Sequence, residues 1–97
     1  MFITFLEFSD NKTAASEFMA AHNDWIAQGF AEGKFLCVGS LSPAAGGAII
    51  SHGESRDELE ARVATDPFVV HGVVSAEIRE IDAKRTIPAL NFLKEPA

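Results

Sequence analysis

The chain has 97 residues, a formal net charge of -6 at pH 7 and a hydrophobic fraction of 47%. This length suits one domain, residues 1–97, that binds neither nucleic acid nor anionic membranes, because both partners require concentrated positive charge. The hydrophobic fraction is high for so short a chain and predicts that part of the surface forms a subunit interface.

The first predicted element is a strand over residues 2–8, FITFLEF, which are β-branched and aromatic and are followed by the turn-prone SDN. Its apolar side chains point in both directions, so both faces of its sheet need to be covered. Glu7 interrupts this apolar run, which lacks a basic flank and is too short for a signal sequence or a membrane span. We therefore expect a cytoplasmic protein with no membrane segment.

A helix is predicted from an N-cap at Thr13 to about Gly33, because apolar residues recur there at three- and four-residue spacing. His22 lies on this apolar stripe together with Phe18 and Ile26. A histidine in that position is either a core residue whose ring nitrogens are satisfied internally or a general acid or base in a cleft. The spacing alone favours the core interpretation.

Residues 34–41, KFLCVGSL, are predicted to form the second strand, and the Ser-Pro and Gly-Gly signals after it predict a hairpin into the third strand, GAIIS. Cys37 is the one cysteine, which fits a reducing compartment, and its apolar neighbours predict a small buried core residue. Ser40 ends the strand, where it could add a hydroxyl to a cleft or simply form the turn.

No recognisable ligand spacing connects Cys37 with the histidines, and His52 and His71 are interpreted as surface or loop residues. The sequence also lacks a CxxC pair, an HExxH motif and a glycine-rich phosphate loop. We therefore expect no metal site and no cofactor.

The second helix is predicted to begin at a capping box formed by Ser55 and Glu58 and to end just before Pro67, which restricts the residue that precedes it. Residues 73–81, VVSAEIREI, alternate between apolar and polar and predict a fourth strand. The order β-α-β-β-α-β is that of the ferredoxin-like α+β fold, an antiparallel sheet with two helices on one face. A second copy covering the other face predicts a homodimer of the α/β-barrel type.

Asp66 also has two interpretations. Aspartate is a preferred N-cap and proline is favoured at the first helical position, so DPFVV followed by Gly72 predicts a capped single turn. On local grounds this cap is the better explanation of Asp66. Catalysis is compatible with it, because a cap needs one carboxylate oxygen and leaves the other available.

The remaining residues, 85–97, are predicted to form a C-terminal arm. Pro88 excludes a central strand there, because proline cannot donate to the strand ladder. The arm either packs on a partner subunit or forms a short edge element, and the sequence does not distinguish these alternatives.

Several of these residues together resemble the YciI-like (YCII-related) family. They are His22 within AAHNDWI, the Gly39-Ser40 step that ends LCVGSL, and the Asp-Pro-Phe motif with Gly72 in DPFVVHGVV. The resemblance extends from the first residue to about residue 82. It implies a dimeric ferredoxin-like α/β-barrel with an active site formed by a His-Asp pair, here His22 and Asp66.

Two functional hypotheses follow. The first is a cofactor-free isomerase, lyase or dehydrohalogenase in which His22 and Asp66 move protons on a small organic substrate, as the resemblance implies, since the family includes a chlorinated hydroxyquinol dehydrochlorinase. The second is a non-catalytic dimer that binds a small ligand or serves as an accessory domain. The expected binding residues are Ser40, which could add a hydroxyl to the cleft of the His-Asp pair, and Phe68 and Trp25, which would line a hydrophobic pocket in the second hypothesis.

Overall fold

The computed structural model describes residues 1–95. In chain order its main elements are β1 (Phe2–Phe8), α1 (Ala15–Ala31), β2 (Phe35–Leu41), β3 (Gly46–Ser51), α2 (Arg56–Val63), α3 (Pro67–Val70) and β4 (Val74–Glu80). The four strands form one sheet in the order β2-β3-β1-β4, and all neighbouring strands are antiparallel. This arrangement confirms the predicted α+β class and the ferredoxin-like order of elements.

Alternation along β1 separates the two faces of the sheet. Phe2 and Leu6 are buried on the face that carries the helices, whereas Ile3 and Phe5, which point the other way, are only half-buried. The ladder places Ile50 of β3 beside Ile3 on this open face. The core therefore lies between the sheet and the helices, and it consists of Phe2, Leu6, Phe35, Ile49, Leu59, Val63, Phe68, Val73 and Val74.

The start of α1 differs from the prediction. A 3-10 turn over Lys12–Ala14 precedes the helix, and the N-cap is Ala14, which provides no side-chain hydrogen bond. Thr13 lies within that turn, so its predicted capping role is wrong. Further along α1 the helix approaches β2 closely at Gly29, where a Cβ atom would overlap the ring of Phe35.

The capping box at the start of α2 is confirmed. The backbone N–H of Glu58 donates to Ser55 Oγ at 3.1 Å, and the Ser55 backbone N–H donates to Glu58 Oε1 at 2.9 Å. The backbone hydrogen bond from Ser55 is the main reason that the pKa of Glu58 lies below its ordinary value. Because the backbone N–H groups of Ser55 and Glu58 both have hydrogen-bond partners, α2 starts at a fixed position after β3.

Arg62 connects α2 to the end of α1. Its guanidinium donates to Glu32 Oε1 at 3.1 Å and to Glu54 Oε1 at 2.9 Å, and the Glu54 side chain is only 5% exposed. The hydrogen bonds to Glu32 and Glu54 raise the pKa of Arg62 above its ordinary value. The buried carboxylate of Glu54 is thus paired with Arg62, and a buried charge is costly without such a partner.

Cys37 is exposed, so the prediction of a buried core residue is wrong. The register between β2 and β3 shifts between Phe35 and Cys37. After this irregularity Cys37 pairs with Ile50, a residue of the open face, whereas Val38 pairs with the buried Ile49. In a regular strand Cys37 would lie on the same face as Phe35. The bulge instead places Cys37 on the open face and Val38 on the face that carries the helices.

The C-terminal segment forms a 3-10 helix over Pro88–Lys94, with Leu93 buried and the ring of Phe92 edge-on to His52 at 5.4 Å between centroids. Within the described residues it is thus a short helical element rather than an edge strand. Residues 96 and 97 of the predicted arm lie outside the described residues. Between residues 1 and 95, no helix is long and apolar enough to cross a membrane.

Candidate active site

The structure brings His22 and Asp66 together. His22 lies in the middle of α1 and Asp66 immediately precedes α3, and the distance between His22 Nδ1 and Asp66 Oδ1 is 2.7 Å. The Asp66 side chain is 0% exposed and the His22 side chain 11%. Two residues that are 44 positions apart in sequence therefore form one buried polar pair in a largely apolar core.

Asp66 is also the N-cap of α3. Its Oδ1 accepts a hydrogen bond from the Phe68 backbone N–H at 3.0 Å, and Pro67 occupies the first helical position. The predicted cap is therefore present together with the contact to His22. The two contacts do not divide between the oxygens as expected: Oδ1 makes both, while Oδ2 is buried without a partner among residues 1–95.

Phe68 fixes the plane of the imidazole. The rings of His22 and Phe68 are stacked at 3.9 Å between centroids with an interplanar angle of 4°, and Phe68 is buried. Since the bond to Asp66 fixes the position of Nδ1, the ring has one defined orientation. The same three-residue motif, Asp66-Pro67-Phe68, thus supplies both the hydrogen bond and the stacking partner.

His22 helps to line a cavity of about 330 Å³, and its other ring nitrogen is Nε2. No hydrogen bond joins Nε2 to any of residues 1–95, and unlike Asp66 Oδ2 it is not sealed from solvent. Nε2 is therefore the group of this pair that can exchange a proton with a molecule in the cavity.

Most of the cavity wall is apolar. Ser40 and Phe68, two of the expected binding residues, line it, and Asn23 adds a further polar side chain beside His22. Sequence reasoning missed Asn23, although it lies on the face of α1 that contains His22, at helical spacing from Ile26. The complete lining is Leu6, Phe8, Met19, His22, Asn23, Ile26, Val38, Gly39, Ser40, Gly46, Gly47, Ala48, Ile49, Phe68 and Val74.

Trp25, the third residue expected to bind a ligand, does not line this cavity. Its indole packs edge-on against Phe35 at 5.3 Å between centroids, and Nε1 donates to the Arg62 backbone carbonyl and to Thr65 Oγ1. These contacts hold Trp25 between α1 and α2. The apolar side of α1 is therefore wide enough for some of its residues to line the cavity while Trp25 packs towards α2.

The two other histidines occupy different surroundings from His22. The ring of His71 stacks on Phe18 at 3.9 Å, and His52 packs against Phe92. Across residues 1–95, no cluster of three or more histidine, cysteine, aspartate or glutamate residues has a geometry that could hold a metal ion.

The sequence pattern of the YCII-related domain matches residues 1–82. No functionally curated protein matches the chain. Among solved structures the fold is similar to 5-chloro-2-hydroxyhydroquinone dehydrochlorinase (TftG) from Burkholderia phenoliruptrix AC1100, in complex with 2,5-dihydroxybenzoquinone. The TM-score is 0.71 and the identity 20%, with 82% of this chain and 91% of that chain covered. Because the family match spans the whole sheet from β1 to β4, the chain belongs to the YCII-related domain family.

Proposed function

We propose that this protein is a cofactor-free enzyme in which His22 and Asp66 form a general acid–base pair. The observation that supports this proposal is the 2.7 Å contact between a fully buried carboxylate and a histidine that lines a cavity. Asp66 holds the Nδ1 proton and stabilises the imidazolium, so Nε2 can accept a proton from the substrate and pass it back to the substrate ring in an isomerisation or to water in an elimination.

The reaction class that fits this machinery is an elimination or an isomerisation of a small ring compound. Both reactions begin when a base removes a proton, and in an elimination a leaving group such as chloride then departs. The fold likeness to a dehydrochlorinase supports the elimination by analogy. Ser40 and Asn23 lie on the cavity wall, where their side chains could donate hydrogen bonds to a substrate oxygen.

A substrate screen tests this proposal. The purified protein is incubated without added metal or cofactor with chlorinated hydroxyhydroquinones, other halogenated phenols and unsaturated lactones. We expect turnover of at least one ring compound, with chloride released in proportion to substrate consumed for the chlorinated members. Rates no higher than in buffer for every compound would contradict the proposal.

The second candidate is a non-catalytic ligand-binding or accessory domain. The observation that favours it is the N-cap bond to Phe68, which explains Asp66 without any chemistry. Under this alternative, ring compounds would bind in the cavity and none would be converted, so the same screen combined with a binding measurement separates the two candidates.

We also propose that two copies pair through the open face of the sheet. Ile3, Phe5 and Ile50 lie on this face and are only half-buried, and an apolar sheet face of this kind is normally covered. Light scattering at micromolar concentration should give twice the 10.4 kDa mass of the chain. A mass equal to that of one chain would contradict the dimer.

A further inference from the structure

We infer that the cavity selects uncharged ring compounds over carboxylates of the same shape, and that Met19 is the residue that sets this preference. The inference rests on the proposed acid–base site and specifies the class of substrate that the site accepts.

The charge of the cavity wall is the first observation. Within residues 1–95, His22 is the only titratable side chain on the wall, and no lysine, arginine, aspartate or glutamate contributes to it. The other polar side chains are Asn23 and Ser40, which are neutral. An anion that enters would therefore have to pair with His22 or remain unpaired.

His22 is a poor partner for such an anion because Asp66 already balances any positive charge on its ring. Asp66 Oδ1 lies 2.7 Å from His22 Nδ1 and the carboxylate is fully buried, so its field is weakly screened. A ligand carboxylate would lose its hydration and meet a pair whose net charge is zero when the ring is protonated and -1 when the ring is neutral, so at least one negative charge would stay unbalanced. A neutral hydroxyl, amide or carbonyl group avoids this cost, because Nε2, Asn23 and Ser40 can satisfy it with hydrogen bonds.

The size of the cavity indicates a single ring. Its volume is about 330 Å³, whereas a dry cavity of about 150 Å³ is enough to bind benzene. Gly46 and Gly47 contribute to the wall without side chains, and Phe68 presents an aromatic ring on the helix side. One six-membered ring with two or three small substituents therefore fits this space.

Met19 is the position from which a cation would correct the charge balance. It lies one helical turn before His22 on α1, contributes to the cavity wall and is 41% exposed. A lysine there would keep its alkyl stem against the apolar wall and its ammonium at the cavity mouth, in contact with water. The thioether of Met19 offers no such charge, and the preference for neutral ligands follows.

Two isosteric probes test the inference: para-hydroxybenzamide and para-hydroxybenzoate have the same shape and differ by one negative charge at pH 7. Their dissociation constants are measured by NMR titration of the cavity amides in the parent protein, in Met19→Lys and in Met19→Leu. We expect the parent and Met19→Leu to bind the benzamide about tenfold more tightly or better, and Met19→Lys to reverse the preference.

Several outcomes would overturn the inference. They are equal or tighter binding of the benzoate by the parent, failure of both probes to bind up to their solubility limits, and an unchanged preference in Met19→Lys. None of these readouts requires turnover, so the inference and the proposed catalysis can fail separately. If the protein prefers the benzamide but converts no compound, only the proposed catalysis is contradicted. If it converts carboxylates efficiently, only the inferred preference for uncharged compounds is contradicted.

Discussion

Replacing His22 by Gln should lower the turnover number for a cavity substrate by about one hundred- to ten-thousand-fold, the usual contribution of a positioned general acid or base. Glutamine preserves a polar group that can donate a hydrogen bond to Asp66, so the buried carboxylate keeps a partner. It cannot carry a proton to and from the substrate, and the loss should therefore appear in kcat rather than in KM. Initial rates across substrate concentrations, with circular dichroism to verify folding, measure this effect.

The matched control is His71→Gln. It makes the same chemical change in a histidine that stacks on Phe18 and does not line the cavity. We expect this variant to retain the rate of the parent protein. If His22→Gln also retains the parent kcat, the acid–base role of His22 is excluded and ligand binding becomes the better explanation of the cavity.

Replacing Asp66 by Ala should lower the free energy of unfolding by about 2–4 kcal/mol. Loss of an N-cap costs about 1 kcal/mol, and leaving a buried polar group without its partner costs about 1–3 kcal/mol. Both losses occur at Asp66, because Oδ1 serves the Phe68 backbone N–H and His22 Nδ1 at once. Urea unfolding followed by the fluorescence of Trp25, the single tryptophan, measures the change.

Asp66→Asn separates the cap from the chemistry. Asparagine is an equally good N-cap and its side-chain oxygen can still accept from Phe68, so we expect a stability loss of less than about 1 kcal/mol. It has no negative charge to stabilise an imidazolium, and turnover should therefore fall while the fold persists. Parent-like turnover in Asp66→Asn would show that Asp66 acts only as a cap.

Local chemistry in the sequence was sufficient for the framework of the fold. Strand β1 has the predicted bounds, 2–8, because its β-branched and aromatic run ends at a clear turn signal. The capping box of Ser55 and Glu58 and the capped turn at Asp66 also follow from residue preferences within a few positions. Each of these features depends on neighbours in sequence and needs no knowledge of tertiary contacts.

Features that depend on contacts between elements could not be predicted from the sequence alone. Cys37 is exposed because of a shift in register between β2 and β3, and a single strand does not show where its partner will bulge. Trp25 belongs to the same apolar stripe as His22, but its contacts with Phe35 and Arg62 place it against α2 instead of the cavity. Periodicity identifies the buried side of a helix without indicating which neighbour each residue meets.

The pairing of His22 with Asp66 is a further case, since nothing in the local pattern connects residues 44 positions apart. Family resemblance suggested the pair, and the structure places the two atoms in contact. The resemblance could not indicate that one oxygen makes both of the contacts of Asp66, because this detail depends on the position of the Phe68 backbone N–H relative to the ring.

The first measurement to make is a long-range proton–nitrogen NMR spectrum of the three histidine rings, recorded with and without para-hydroxybenzamide. We predict that His22 carries its proton on Nδ1, facing Asp66, and that the ligand shifts the Nε2 resonance of His22 but not the ring resonances of His52 and His71. A ligand that shifts the cavity amides and leaves His22 Nε2 unchanged would contradict a proton-transfer role for this pair.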